Sequence, residues 1–200
     1  MLLSAVGMSL QDRLRASLAL EPRDGLLAGD LIEGAPDAGR EAAVLVAITD
    51  RPEPGVLLTV RREHLRTHAG QVSFPGGRLD PGEDAIAAAL REAEEEIGLP
   101  ADQVALWGEA DPYCTVTGYR VTPVVGTVPP DLPLAPHEHE VAGWFEAPLS
   151  FLLDPANQRR MSAEYQGRMR HYYQIDWQDR RIWGATAAML VNLTRRMEWS

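Results

Sequence analysis

The sequence predicts an α+β fold in which a mixed β-sheet is flanked by helices. Strand-like and helix-like segments alternate along its 200 residues, without the strict β-α-β period of a doubly wound parallel sheet. The composition, 45% hydrophobic and 24% charged, is ordinary for a folded chain of this length. We therefore expect one globular core built from both kinds of element.

The first half of the chain is predicted to contain a helix and two strands. Residues 9–20 read as an amphipathic helix with Ser9 as its N-cap and leucines at i, i+4 spacing. Residues 40–50 form a continuous apolar run, which is typical of a strand covered on both faces. Residues 55–62 supply the next strand.

A helix then follows Pro81 and ends at Gly98, a residue suited to the left-handed position after a helix. The remaining predicted elements are strands at 103–108 and 119–128, a strand leading into a short helix at 140–153, a hairpin at 170–183 and a final helix at 184–197.

Charge and composition exclude several classes of function. The net charge of −10 argues against nonspecific binding to nucleic acid, so local cations would have to attract any phosphate ligand. No apolar run approaches the roughly 20 residues that span a bilayer, and we expect no membrane association. The lone Cys114 and the absence of a basic leader predict a cytoplasmic location.

The helix before Gly98 carries an unusual run of glutamates. On a wheel of 100° per residue, an apolar stripe is predicted from Ile86, Leu90, Ala93 and Ile97. Glu92, Glu95 and Glu96 fall at about 240°, 180° and 280°, and Glu94 falls near 80°. Three glutamates are thus predicted to converge on the side opposite the apolar stripe.

A solvated polar face is the ordinary interpretation of such a run, but the energetics oppose it. Glu92 and Glu96 repel each other at i, i+4, and the glutamates lie near the negative end of the helix dipole. Hard divalent cations reverse this penalty, because converging carboxylates are ligands for Mg²⁺ or Mn²⁺. The preceding Gly76 could point a bare carbonyl at the metal, and Asp80 with Glu83 forms a predicted capping box.

Taken together, these residues resemble the Nudix box, the signature of hydrolases that act on nucleoside diphosphates linked to another group. The matching positions are Gly77, Glu83, Arg91, Glu92, Glu95, Glu96 and Gly98. Ala93 occupies a position that usually holds a larger aliphatic residue, which is a departure from the pattern. The resemblance implies a Nudix α/β/α sandwich with a mixed sheet.

A second resemblance extends upstream, to the coenzyme A pyrophosphatase branch of that family. Its signature is matched by Leu57, Leu58, Thr59, Arg61, Arg66, Gly70, Phe74, Pro75, Gly76 and Gly77. Arg62 departs, since the branch usually has a small residue there. The resemblance covers roughly residues 40–195, and we assign 36–200 to the Nudix domain with its C-terminal hairpin and helix, and 1–35 to an N-terminal helix and connector.

The resemblance implies a role for each residue of the box. Glu92 and Glu96 would ligate Mg²⁺ or Mn²⁺, and Glu95 would be a further ligand or the residue that activates water. The base could equally be Glu96 or a carboxylate from a distant loop. Arg91 is grouped with the catalytic residues and is expected to pair with Glu83 and hold the loop, a structural role within the motif. Gly77, Glu83 and Gly98 would be structural residues of the motif.

Candidate substrate-binding residues lie just before the box. Arg61 and Arg66 are candidates for contacting phosphates, since guanidinium groups match phosphate oxygens, with surface arginines as the alternative. His68 is a further candidate, with a loop hydrogen bond as its alternative. The "HEHE" segment at 137–140 is interpreted as a loop entering a strand and not as a metal site.

The implied activity is hydrolysis of the pyrophosphate of coenzyme A, or of its derivatives, to 3′,5′-ADP and 4′-phosphopantetheine. Two alternatives stay open at this point: another nucleoside diphosphate substrate, such as ADP-ribose or a dinucleotide polyphosphate, and a Nudix domain that senses a ligand without turnover. The partner is expected to be a small molecule. A homodimer is possible on the sequence alone.

Overall fold

The computed structural model describes residues 8–21, 25–30, 39–62, 70–165 and 167–199. In chain order these form α1 (Leu10–Leu18), β1 (Arg40–Thr49), β2 (Gly55–Arg61), β3 (Val72–Ser73), β4 (Gly76–Arg78), α2 (Ala85–Ile97), β5 (Ala105–Glu109), β6 (Tyr113–Cys114), β7 (Tyr119–Val128), β8 (Val141–Pro148), α3 (Leu149–Leu153), β9 (Arg159–Tyr165), β10 (Arg168–Trp177), β11 (Arg180–Trp183) and α4 (Ala185–Arg196).

Eight of these strands form one mixed sheet, which confirms the predicted α+β class. Its main order is β3-β2-β1-β7-β5, with β4 paired to β1, β6 to β7 and β8 to β2. The central strands β1 and β7 run parallel over their whole length, from Arg40 beside Tyr119 to Thr49 beside Val128. Every other pairing in the sheet is antiparallel.

Helices cover both faces of this sheet, as the unbroken apolar run of β1 predicts. On one face, Ala43, Leu45 and Ala47 pack with α2. On the other, Val46 and Ile48 belong to a core that also contains residues of α1, α3 and α4. Because successive side chains of a strand point to opposite faces, a strand buried on both sides needs apolar residues at every position.

A second, three-stranded antiparallel sheet has the order β11-β10-β9. The hairpin of β10 and β11 is confirmed, whereas β9 was not predicted. Arg159–Tyr165 reads RRMSAEY, which is largely polar, so it lacks the apolar alternation that marks a strand. The strands β3, β4 and β6 were also missed, because two or three residues are too few to show a period.

The N-terminal helix packs on the same core as the rest of the chain. Its predicted cap is confirmed, since the Ser9 hydroxyl accepts a hydrogen bond from the Asp12 amide at 3.1 Å. Leu14 is fully buried, and Arg196 of α4 donates to the carbonyls of Leu18 and Leu20. The domain division at residue 35 stays a prediction. Among the described helices, none has the length and apolarity needed to cross a bilayer.

Candidate active site

The helix α2 begins later than the sequence predicted. Its N-cap is Asp84, whose carboxylate accepts a hydrogen bond from the Ala87 amide at 2.8 Å. The capping box expected at Asp80 lies ahead of the helix, although Glu83 does accept from the Asp80 amide at 2.9 Å. Asp80 therefore does not cap α2, and the Asp80–Glu83 pair shapes the turn that precedes it.

The predicted end of α2 is confirmed. Gly98 adopts the left-handed conformation with φ of 66°, and its amide donates to the Glu94 carbonyl at 2.9 Å. The Leu99 amide reaches back to the Ala93 carbonyl at 3.3 Å. This cap fixes where the last turn of the helix, and hence the glutamates on it, lies against the sheet.

Arg91 holds three carboxylates and the preceding loop together. Its Nε and Nη2 donate to the two oxygens of Glu83, each at 2.9 Å, in a paired arrangement. Its Nη1 donates to Glu92 at 3.1 Å and to Glu95 at 3.2 Å, and Nη2 also donates to the Arg78 carbonyl at 3.0 Å. The Arg91 guanidinium lowers the pKa of Glu83.

Glu96 is a buried carboxylate with few compensating groups. Its residue is 3% exposed, its Oε2 accepts from the Gly76 amide at 3.2 Å, and its Oε1 lies 3.8 Å from Nη1 of Arg61. The pKa of Glu96 is raised to about 7, chiefly by burial and also by the charges of Glu92 and Glu140, against the opposing effects of the Gly76 amide and Arg61. An ionised Glu96 therefore costs free energy in the absence of a stronger cation.

Glu92 lies beside Glu96 and faces the backbone of Gly77. A Cβ added to Gly77 would overlap the Glu92 carboxylate, so glycine leaves the space that this side chain occupies. Burial raises the pKa of Glu92, although its hydrogen bond to Arg91 opposes the shift. The charges of Glu95 and Glu140 add to the increase.

The predicted apolar stripe of α2 does pack on the core, but the fully buried face is centred to one side of it. Ala89, Ala93 and Ile97 are fully buried, whereas Ile86 and Leu90 are only half-buried. The buried face is lined by alanines, which allow the helix to approach the sheet closely. The helical wheel had instead assigned the buried face from the larger apolar residues.

Because the buried face is rotated, the glutamates do not all converge as predicted. Glu96 and Glu92 flank the buried face and point towards β4, since they contact Gly76 and Gly77. The Glu95 side chain is 54% exposed and contacts Arg91. Two of the three glutamates therefore form the inner part of the site.

Glu140 joins this cluster, which the sequence interpretation of "HEHE" did not foresee. The loop before β8 is held against the end of α2, since the His137 amide donates to the Glu96 carbonyl at 2.8 Å. Arg61 pairs with Val141, so the residue before β8 comes close to the end of β2. No local pattern could reveal this, because it depends on pairing between strands about 80 residues apart.

The carboxylates of this cluster suit a hard divalent cation. Burial, and to a lesser degree the neighbouring acidic charges, raises the pKa of Glu92 and Glu96, and a bound cation would favour their ionised forms. Among the described residues, no three acidic, histidine or cysteine side chains already surround a common point as ligands. Gly76 contacts Glu96 through its amide, and a role for its carbonyl stays a prediction.

Of the predicted substrate-binding residues, only Arg61 lies within the described chain. It is the last residue of β2, next to Glu96, and its Nε is buried without a hydrogen-bond partner among the described residues. The side chain as a whole is 33% exposed, so the accessible part of its guanidinium is suited to an anionic ligand. Arg66 and His68 lie outside the described residues, and their roles stay predictions.

Adding a methyl group should have different effects at the two glycines of the site, on activity at one and on stability at the other. Gly77→Ala should displace the flexible Glu92 carboxylate, lowering activity about tenfold or more while changing the melting temperature little. Gly76→Ala should instead destabilise the fold, because its φ is 157° and a Cβ would overlap the Ala43 carbonyl and Val44. Thermal unfolding and steady-state kinetics of both variants check this contrast. Equal losses of stability would contradict it.

Comparison with known proteins agrees with this geometry. The sequence model of the NUDIX domain matches residues 39–165. The Escherichia coli K12 protein named "uncharacterized Nudix hydrolase NudL" is 47% identical over 156 residues, covering 77% of this chain and 81% of that protein. Its Yersinia pestis (strain Pestoides F) counterpart of the same name is 44% identical over 160 residues, covering 79% and 80%. The solved structure of RenU, a Nudix hydrolase from M. smegmatis, is 26% identical, with a TM-score of 0.50 over 57% of this chain and 74% of that one.

The chain therefore belongs to the Nudix family, as the sequence predicted. It is a Nudix hydrolase, an enzyme acting on a nucleoside diphosphate derivative, and Nudix hydrolases generally use divalent metal ions. The assignment to the coenzyme A pyrophosphatase branch stays a prediction.

Proposed function

We propose that the protein hydrolyses the pyrophosphate bond of coenzyme A or its derivatives, with Mg²⁺ or Mn²⁺, to 3′,5′-ADP and 4′-phosphopantetheine. One observation carries the proposal: β2 and β4, which contain parts of the branch signature, place Arg61 and Gly76 in contact with Glu96 of the Nudix box. The two signatures thus contribute to one site.

The acidic residues would hold the cation and Arg61 the substrate. When bound, the metal ion would neutralise phosphate charge and lower the pKa of a coordinated water. Glu92 and Glu96 are the side chains we assign as its ligands, with Glu95 as a further candidate. Arg61 ends β2 beside Glu96 and presents the guanidinium that suits a phosphate oxygen.

Arg91 positions the acidic residues and need not contact the substrate. Its paired bonds to Glu83 fix the guanidinium, and Nη1 then fixes Glu92 and Glu95. Glu83 in turn accepts from the Asp80 amide. This chain of contacts connects the loop before α2 to the glutamates on it.

A proton acceptor for the attacking water is available in the same cluster. Glu140 is the distant-loop carboxylate we favour, because its side chain is 49% exposed and its charge acts on both Glu92 and Glu96. Glu95 is already engaged by Nη1 of Arg91 at 3.2 Å, so we place it behind Glu140 as the acceptor. Glu96 stays an alternative.

A substrate panel tests the proposed specificity. The purified protein would be assayed with Mg²⁺ or Mn²⁺ against coenzyme A, acetyl-coenzyme A, ADP-ribose and diadenosine tetraphosphate. We expect kcat/KM for coenzyme A or its thioester to exceed the others at least tenfold. A preference for ADP-ribose or the dinucleotide would refute the coenzyme A proposal while retaining a Nudix hydrolase. Binding of coenzyme A without turnover would indicate a ligand sensor.

A further inference from the structure

A cavity opens on the same face of the sheet as the carboxylates, at the far end of β2 and β8. The space between its walls, including open solvent at the mouth, is about 280 Å³, and it lies beside the segment that follows β7. Its walls are formed chiefly by Leu57, Leu132, Leu134, Trp144, Arg51 and Glu146. Five of the nine lining residues are apolar, and the charged ones are Arg51, Glu146 and Asp131, whose side chain is 84% exposed. An apolar surface with a few polar groups is the usual make-up of a small-molecule site.

Of the two acidic side chains of this cavity, Glu146 is held by contacts on two sides. Glu146 accepts hydrogen bonds from the Thr49 hydroxyl at 2.6 Å and from Nη2 of Arg51 at 3.1 Å. A Cβ on Gly55 would overlap the Glu146 side chain, so glycine is needed for this close approach. A carboxylate has about four acceptor sites, so Glu146 can accept further hydrogen bonds from a ligand.

The basic side chain, Arg51, can also donate further hydrogen bonds. Nη2 of Arg51 bonds Glu146 and also Asp131 at 3.2 Å, and the side chain is 31% exposed, so other N–H groups of its five-donor guanidinium can face a ligand. The cavity therefore offers an acceptor and a donor side by side. A ligand edge that carries one donor next to one acceptor would satisfy both.

The apolar wall provides a surface for a flat ring. Trp144 is half-buried and packs against the core beneath α2, and Leu57 on the neighbouring strand is 3% exposed. An indole held in this way can stack a heteroaromatic ring without losing further side-chain freedom.

The cavity lies within reach of one substrate molecule bound at the carboxylates. Leu57 and Arg61 are four residues apart on β2, which corresponds to roughly 13 Å at about 3.3 Å per residue. On β8, Trp144 lies between Glu146 and Glu140, the residue that precedes the strand. A nucleotide with its phosphates near Arg61 could therefore place its base in the cavity.

We infer that this cavity binds the adenine base of the nucleotide substrate, stacked on Trp144, with Glu146 accepting from N6 and Arg51 donating to N7. Adenine presents this donor beside this acceptor, whereas guanine presents two acceptors, O6 and N7, of which O6 would face Glu146. The inference rests on the proposed function for its choice of an adenine nucleotide. It adds the residues that select the base.

Direct binding of nucleotides tests the inference without turnover. Calorimetry with Mg²⁺ would compare AMP, GMP and ribose 5-phosphate on the wild type, Trp144→Leu and Glu146→Gln. The wild type should bind AMP at least tenfold more tightly than GMP or ribose 5-phosphate, and each variant should lose about tenfold for AMP alone. Circular dichroism confirms folding, and Glu146→Gln keeps the side-chain shape.

Two matched controls separate the cavity from general effects. Trp177→Leu changes a tryptophan that stacks on Phe145, whose side chain belongs to the core on the opposite side of the sheet. Glu41→Gln changes an exposed glutamate paired with Arg120. Neither should alter AMP affinity.

Several results would overturn the inference. These are undetectable AMP binding at millimolar concentration, equal affinity for AMP and ribose 5-phosphate, unchanged AMP affinity in both cavity variants, or tighter binding of GMP. Cleavage of coenzyme A is measured in a separate assay. If Trp144→Leu cleaves coenzyme A with unchanged KM, the cavity inference fails and the proposed function stands. If AMP binds through Trp144 but coenzyme A is never cleaved, the cavity inference stands and the proposed function fails.

Discussion

Glu96→Gln should abolish turnover while leaving the metal-free protein at least as stable as the wild type. Glu96 is buried, and burial together with the charges of Glu92 and Glu140 raises its pKa to about 7. A neutral amide of the same shape keeps the contact with the Gly76 amide and removes the buried charge. Losing a metal ligand forfeits several kcal/mol of charge stabilisation, so the rate should fall about a thousandfold.

Glu94→Gln is the matched control, because Glu94 is exposed on the same helix and faces away from Glu92 and Glu96. It should change neither the rate nor the melting temperature. Steady-state kinetics and thermal unfolding with a chelator present are the two measurements. If Glu96→Gln retained wild-type activity, or unfolded at a much lower temperature, Glu96 would be a structural residue and not a metal ligand.

The same buried charge predicts how the metal-free stability depends on pH. The pKa of Glu96 is about 7 in the folded protein, against 4.5 for an ordinary glutamate, so the folded state binds the proton more tightly. The penalty of about 3 kcal/mol is fully present above pH 7 and disappears as the pH falls towards 4.5. Denaturant unfolding at a series of pH values should show a steeper gain in stability on acidification for the wild type than for Glu96→Gln. Parallel pH profiles would contradict the assignment.

Arg91→Met should lower both activity and thermal stability. It removes the guanidinium that satisfies both oxygens of Glu83 and also binds Glu92 and Glu95. The three carboxylates would be left to repel one another, and we expect the melting temperature to fall by several degrees. Losing a residue that orients metal ligands typically costs about 10–100-fold in activity.

Arg91→Lys distinguishes geometry from charge. An ammonium keeps the charge, but it cannot form the paired bonds to Glu83 while reaching Glu92, so it should rescue stability in part and activity little. Arg120→Met removes an exposed pair with Glu41 and serves as the control with little effect. Full activity in Arg91→Lys would show that charge alone matters at this position.

The sequence predicted those parts of the site that depend on local spacing. Gly98 ends α2 as expected, and the Arg91 pairing with Glu83 spans eight residues of one continuous motif. The strands β1 and β7 were predicted because apolar runs record burial on both faces. Spacing and composition along the chain are enough to predict these features without the fold.

The parts that were missed depend on contacts between distant segments. Glu140 reaches Glu92 and Glu96 only because β8 pairs with β2, and Glu146 meets Arg51 only because that strand continues beside β2. Neither pairing leaves a local pattern in the sequence. The orientation of α2 was misjudged for another reason, since alanines rather than larger residues line its buried face.

The most direct test of the central claim is the incubation of chelator-treated protein with coenzyme A, with and without Mg²⁺ or Mn²⁺, followed by mass analysis of the products. We predict 3′,5′-ADP and 4′-phosphopantetheine in equal amounts, formed only when metal is restored and not formed by Glu96→Gln. The absence of both products with either metal, or their formation in the presence of a chelator, would contradict the claim.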